Sequence, residues 1–328
     1  MRHKTPRFRP SAPPALLLGL VLVGCAAAGK QAELTAPPIA HSDQPLVLPG
    51  IESKKAADLP GLHNVVAYAD GLLSGAVPEG EAGFASLQAL GIHTVVSVDG
   101  ARPDVETATR HGIRYIHLPI SYDTVPELRA LQLAQVVTNT EGTLYVHCHH
   151  GKHRSAAAVA TAAVTAGRTT PTAAAERMKI SGTTPAYTGL WSAVRNARHA
   201  PPAALECDLA TLPSVATVSG MVATMAELDL VFDLVKIAKE NQWQAPSFHP
   251  DLVAPKETSR MRDLFSQLRH DKDSLLLSAD YQERLLRVID ETTKLDTAVR
   301  DGDAAAANTW FDAVGKSCKE CHKPYRDQ

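Results

Sequence analysis

The stretch that most constrains this 328-residue chain runs from Thr143 to Ala166. Thr143 to His147 (TLYVH) is short, β-branched and aromatic, which predicts a buried strand. Ser155 to Ala166 (SAAAVATAAVTA) is made of strong helix formers and stops at Gly167, a residue suited to ending a helix. A tight loop joins the two, with Cys148 at its start, Arg154 at its end and five residues between them. Amides of a loop that enters a helix N-terminus form an anion cradle, and the helix dipole adds to it. The same field, helped by Arg154, favours the thiolate of Cys148 and makes it a nucleophile. Arg154 can hold an oxyanion through two parallel hydrogen bonds. Ser155 is placed to donate a hydrogen bond to the thiolate when it departs.

His147-Cys148, five residues, then Arg154-Ser155 between a strand and a helix resembles the signature of cysteine-dependent tyrosine and dual-specificity phosphatases. The resemblance extends over residues 58–200. It implies Cys148 as nucleophile, Arg154 and Ser155 as its partners, and His149, His150, Gly151, Lys152 and His153 around the substrate phosphate. It also implies a general acid from an upstream loop. Asp123, after the third expected strand, is the candidate, with Asp99 and Glu127 as alternatives. No Trp-Pro-Asp stands there, and the gap from Asp123 to Cys148 is shorter than the family's usual one. The basic character of the loop is shared by family members that act on inositol phosphates, so a phosphorylated protein or an inositol phosphate is the implied substrate. A zinc site from His147, Cys148, His149, His150 and His153 is disfavoured, because adjacent loop residues are expected to splay apart and the spacing is irregular. Sulfur transfer from a persulfide on Cys148 would use the same anion cradle.

A net charge of −2 indicates no general affinity for nucleic acid. Arg2, Lys4, Arg7 and Arg9 precede an apolar run from Ala15 to Val23, which predicts an export signal over residues 1–24, too short to span a membrane. The run ends Leu22-Val23-Gly24-Cys25, which resembles the lipobox of bacterial lipoproteins. That resemblance implies a lipidated Cys25 anchoring a periplasmic protein to a membrane; an ordinary signal peptide is the alternative. Residues 25–57, rich in Ala and Pro, predict a flexible tether.

Expected strands at Leu72–Gly75, Ile92–Val98 and Ile113–Leu118, together with the one before Cys148, alternate with helices. The fold class is therefore multidomain. An α/β unit over 58–200 has a mainly parallel sheet flanked by helices and the loop at a strand's carboxyl end. Residues 201–207 form a linker. From 208 to 328 strand signals vanish, and apolar stripes such as Met221, Met225, Leu228, Phe232 and Val235 predict a four-helix bundle.

The last helix carries Cys318-Lys319-Glu320-Cys321-His322, the spacing of c-type haem attachment. Two thiols bond the haem vinyl groups and His322 supplies the iron-ligating nitrogen. With the bundle, this resembles cytochrome c′. The resemblance implies covalent haem c with His322 as the protein ligand to the metal, a restricted site for NO or CO, and Arg326 beside the pocket. Met221 or Met225 could instead crowd that site or ligate the iron, making an electron-transfer haem; pairing of two haem domains stays open. Cys207 is left over, either a buried thiol or a reversible disulfide partner of Cys148. The chain thus reads as an exported phosphatase fused to a haem domain for redox or gas sensing or electron transfer. The alternative is a haem protein with a non-catalytic anion-binding unit.

Overall fold

A computed structural model describes residues 46–247 and 249–326. The expected signal segment, Cys25 and the tether as far as residue 45 lie outside the described residues. The first half is built on a six-stranded sheet: β1 (Ala57–Leu59), β2 (Leu62–Ala69), β3 (Leu72–Gly75), β4 (Thr94–Ser97), β5 (Arg114–His117) and β6 (Leu144–His147). Their order across the sheet is β1-β2-β3-β6-β4-β5. β3, β6, β4 and β5 are mutually parallel, as expected. β1 and β2 add an antiparallel edge that was not expected. Its signals are Val65, Val66 and Tyr68 between Gly61 and the turn Asp70-Gly71, a pair typical of two-residue hairpins.

Helices cover both faces. α1 (Gly80–Ala89) and α2 (Val105–Arg110) lie over one, where Phe84, Leu87, Ile92, Tyr115 and Tyr145 are buried together. The other face takes α3 (Glu127–Asn139), α4 (Arg154–Thr165), α5 (Pro171–Ser181) and α6 (Thr188–Asn196). Every residue of α4 is buried. Its alanines explain why: a helix enclosed by a sheet and by α3, α5 and α6 has room only for small side chains.

Residues 201–207, the expected linker, pack along α3. Gln135 Nε2 donates to Ala204 O at 2.9 Å and Asn139 Nδ2 to Leu205 O at 2.7 Å, which fixes the short helix α7 (Pro202–Leu205) along α3. The chain then climbs the β5 edge, where Arg114 bonds Leu209 O and the His117 N–H donates to Pro213 O.

The second half is the expected bundle. α8 (Gly220–Glu240) packs on α9 (Ala254–Leu268), α9 on α11 (Ala279–Arg300) and α11 on α12 (Ala304–Tyr325), with the short α10 (Lys272–Leu275) between α9 and α11. Ser278 caps α11 by accepting from the Tyr281 N–H. α8 and α12 run antiparallel: Phe232 stacks on Phe311 at 4.8 Å and Trp243 Nε1 donates to Asn308. That register brings Met221 and Met225 to the level of Cys318 and His322. Asp296, a buried carboxylate of the bundle, is satisfied by Thr258, Ser259, Arg262 and Arg300.

The enclosure of α4 gives a direct test. Ala160→Leu should lower stability by roughly 1–3 kcal/mol through overpacking, read as a reduced urea midpoint with an unchanged slope.

Candidate active site

The loop after β6 is held from outside. His149 O accepts from the Val77 N–H at 3.1 Å, Gly151 O from Asn64 Nδ2 at 3.0 Å and Lys152 O from Thr183 Oγ1 at 2.6 Å. Peptide planes are flat and trans, so the N–H groups of His150, Lys152 and His153 point the opposite way, into the loop. Gly151 has φ +70°, and a Cβ there would sit 2.3 Å from the Gly75 carbonyl carbon. Only glycine lets the loop close this tightly against β3.

Cys148 is buried at the loop's start, its Sγ 3.4 Å from Ser155 Oγ. Ser74 Oγ donates to the same Ser155 oxygen at 3.0 Å. Arg154 is buried, and its Nη2 donates to Asp99 Oδ2 at 2.8 Å. The His149 N–H donates to the same carboxylate oxygen, also at 2.8 Å, and the Ala101 N–H donates to Oδ1. Burial pushes the Asp99 carboxyl upward, but Arg154 and these two amides outweigh it and hold it below the usual carboxylate range. Asp99 is therefore a fixed anion that positions Arg154, which removes it as a general acid. Arg154 Nε is buried without a partner among the described residues, a donor that a bound oxyanion would satisfy.

Asp123 lies on the loop between β5 and α3 with its side chain exposed. Gly189 brings α6 against this loop so closely that a Cβ there would meet the Asp123 carbonyl oxygen at 1.6 Å. Tyr122, beside it, has a ring centroid 4.4 Å from the guanidinium carbon of Arg154. Glu127 is exposed in the first turn of α3. His147 turns away from the loop, with Nε2 2.6 Å from Tyr115 OH, and burial pushes it down to about 4, leaving it neutral. His153 packs on Tyr187 at 4.8 Å and is likewise pushed down to about 4, mainly by burial.

The proposed disulfide between Cys207 and Cys148 does not fit this fold. Both thiols are free. Cys207 follows α7 at the end of the sheet where α3 stops and β6 begins, whereas Cys148 lies at β6's other end, roughly 13 Å along a strand. A disulfide needs Cα atoms within about 7 Å.

The bundle meets the loop directly. Asp233 Oδ2 on α8 lies 2.8 Å from His149 Nε2 and 3.2 Å from His150 Nε2. The two imidazoles converge, contrary to the expectation that adjacent loop residues splay, because both are drawn to one carboxylate. Gly100 lies under α8, where a Cβ would come 2.7 Å from Val222. Arg326 stays close enough to His322 for its charge to add to burial in depressing that imidazole, and it also donates to Tyr187 OH at 2.8 Å, with its guanidinium carbon 4.4 Å from the Tyr122 centroid. Sequence reasoning missed Tyr122, Tyr187, Asp229 and Asp233.

On α12, Cys318, Cys321 and His322 are partly buried, and both cysteines pack against the bundle core together with Met221 and Met225. Burial pushes the Cys318 thiol up to about 12 and His322 down to about 4. Two free thiols three positions apart, followed by an imidazole and facing apolar side chains, form a donor set that fits covalent haem.

Residues 277–326 match the Cytochrome C' family model, and that match implies a haem cofactor. Among solved structures, TpbA of P. aeruginosa is similar at 25% identity and a TM-score of 0.37, over 44% of this chain and 89% of that one. A cysteine-to-serine form of TpbA in complex with pTyr aligns at 23% identity and a TM-score of 0.37, over 44% and 91%. A DUF442 phosphatase of Shewanella putrefaciens CN-32 aligns at 20% and 0.34, over 42% and 96%. No curated protein matches the chain.

Asp99→Asn should cost about 3 kcal/mol at neutral pH, because it leaves Arg154 buried without its anion. The folded carboxyl is depressed, so its contribution is full above the ordinary value near 4 and fades as pH falls through the folded value. Urea midpoints of wild type and variant should therefore converge in acid.

Proposed function

We propose that the chain is an exported cysteine phosphatase whose catalytic loop lies against a haem-carrying bundle. The observation that carries the reading is the loop itself. A buried thiol, a serine hydroxyl 3.4 Å away, inward amides and an arginine with one unpaired donor together form an anion site beside a nucleophile.

In this reading Cys148 Sγ, as thiolate, attacks the phosphorus of a monoester. The S–P bond forms while the P–O bond to the leaving group breaks. Asp123, protonated, gives its proton to the departing oxygen. The loop amides and Arg154 hold the three equatorial oxygens throughout. A water then attacks the phosphorus and passes its proton to the Asp123 carboxylate. The S–P bond breaks, and Ser155 donates to the thiolate as it is released.

The environment of the loop supports a phosphorylated aromatic or protein substrate over an inositol polyphosphate. His149 and His150 face Asp233 and His153 is neutral, so among the described residues Lys152 and the Arg326 guanidinium over the Tyr122 ring are the cations near the mouth, fewer than a polyphosphate would call for. Tyr122 and Tyr187 supply an aromatic wall, 4.9 Å between centroids.

Cys318 and Cys321 would hold the haem covalently and His322 would ligate its iron. When bound, the group supplies a centre that takes up an electron or a gas such as NO or CO. Met221 and Met225 are partly buried against the bundle core beside Cys318 and Cys321, and in this reading they would line the gas site and not ligate the iron. Export and lipidation at Cys25 remain part of the proposal, placing the protein on a periplasmic membrane face.

The deciding measurement is phosphate release from an aryl phosphate by the haem-loaded full chain, with ferric, ferrous and NO-bound haem. Cys148→Ser should abolish turnover. Equal inactivity of wild type and Cys148→Ser, on aryl phosphates and inositol phosphates alike, would leave a haem protein with an anion-binding unit. Asp123→Asn should lower kcat about 10²- to 10⁴-fold on esters of poor leaving groups and far less on p-nitrophenyl phosphate. Replacing Cys318 and Cys321 with alanine should remove haem that survives denaturation.

A further inference from the structure

We propose that His149, His150, Asp229 and Asp233 form a binding site for a divalent transition metal, joining the catalytic loop to helix α8. The site is independent of the haem and is not part of the phosphatase chemistry above.

The two histidines enter as a preset pair. The His149 N–H is held by Asp99 and its carbonyl by Val77, which fixes the backbone and turns both rings outward. The rings stand edge to face with centroids 4.2 Å apart. Asp229 and Asp233, four residues apart, share one face of α8. Donor atoms of His149, His150 and Asp229 all lie within 4.8 Å of one another. Asp233 Oδ2 is closer still to both imidazoles, at 2.8 and 3.2 Å.

Those distances nearly make a coordination sphere. Tetrahedral zinc bonds of about 2.0–2.1 Å place neighbouring donors roughly 3.3 Å apart. The Asp233 contacts at 2.8 and 3.2 Å fall just below that value, and the His149, His150 and Asp229 donors lie within 4.8 Å of one another, so shifts of about an ångström would admit the ion. Two carboxylates offset a divalent charge. Two imidazoles select zinc, cobalt or nickel over calcium and magnesium, which prefer an all-oxygen shell. The alternative is an ordinary ion-pair clasp, in which each histidine keeps a proton toward Asp233.

The two are separated by titrating chelator-treated, haem-loaded full chain with zinc chloride in a calorimeter, alongside Asp229→Asn/Asp233→Asn and His150→Gln. The wild type should take up one zinc, and both variants should bind it at least about 100-fold more weakly. Magnesium chloride should give no heat with any of them. Thermal unfolding should follow: zinc raises the wild-type midpoint and leaves the variants unmoved. Unchanged Soret and far-ultraviolet circular dichroism spectra would show that a variant is folded. Should the double variant fail that check, His150→Gln, altered at an exposed side chain, decides alone. Zinc bound equally well by folded variants, or not bound by the wild type, overturns the site.

Discussion

The buried pair of Asp99 and Arg154 is the interaction on which the rest of the site depends. Taking two opposite charges out of water is costly, and their attraction repays it only when the remaining hydrogen-bonding capacity is satisfied. Asp99 meets that condition: Ala101, His149 and Arg154 use both of its oxygens. Arg154 does not, because its Nε is left over among the described residues. An ion pair selected for stability alone would have no reason to strand a donor. This pair ties the end of β4, the first amide of the loop and the start of α4 to one carboxylate, while keeping part of the guanidinium in reserve for a bound anion.

Helix α8 is a wall shared by two different interiors. Met221, Met225, Leu228, Phe232 and Val235 form the stripe that packs into the bundle. A second stripe, Val222, Ala226, Asp229 and Asp233, repeats at four, three and four residues, and it faces Gly100 and the loop after β6. The charge of Asp229 also reaches Cys318 and His322. Ala226 keeps this stripe small where it packs over Gly100, and Asp233 meets the loop histidines.

The parts of this molecule that were legible beforehand are those governed by local rules. Strand, loop and helix around Cys148 follow from periodicity and turn chemistry, as do the bundle helices. The β2 strand was missed although Asp70-Gly71 marks its hairpin, because Leu62–Ala69 lacks a clean alternation of apolar and polar residues. What could not be read was contact between distant segments. His149 and His150 were expected to diverge, and only a carboxylate 84 residues further on, in α8, brings them together. Arg326 likewise was read only as a haem-pocket residue, and its contacts with Tyr122 and Tyr187 were not legible. The second stripe of α8 was visible in the sequence, but an acidic helix face reads first as a solvated one.

The shared wall also limits how strongly the two halves can influence each other. Arg154 and Arg326 both engage the ring of Tyr122, each at 4.4 Å. A cation–π contact is worth about 0.5 to 2 kcal/mol depending on desolvation. Losing the Arg326 contact entirely could therefore change the preference of Arg154 for its catalytic position by no more than about 2- to 30-fold. A change of that size grades an activity and does not turn it on or off. An all-or-none response would need a larger element with two arrangements, such as α8 leaving the loop together with Asp229 and Asp233. Under the proposed function, then, the Tyr122 ring would supply only fine adjustment, and any larger response would have to pass through the α8 contact.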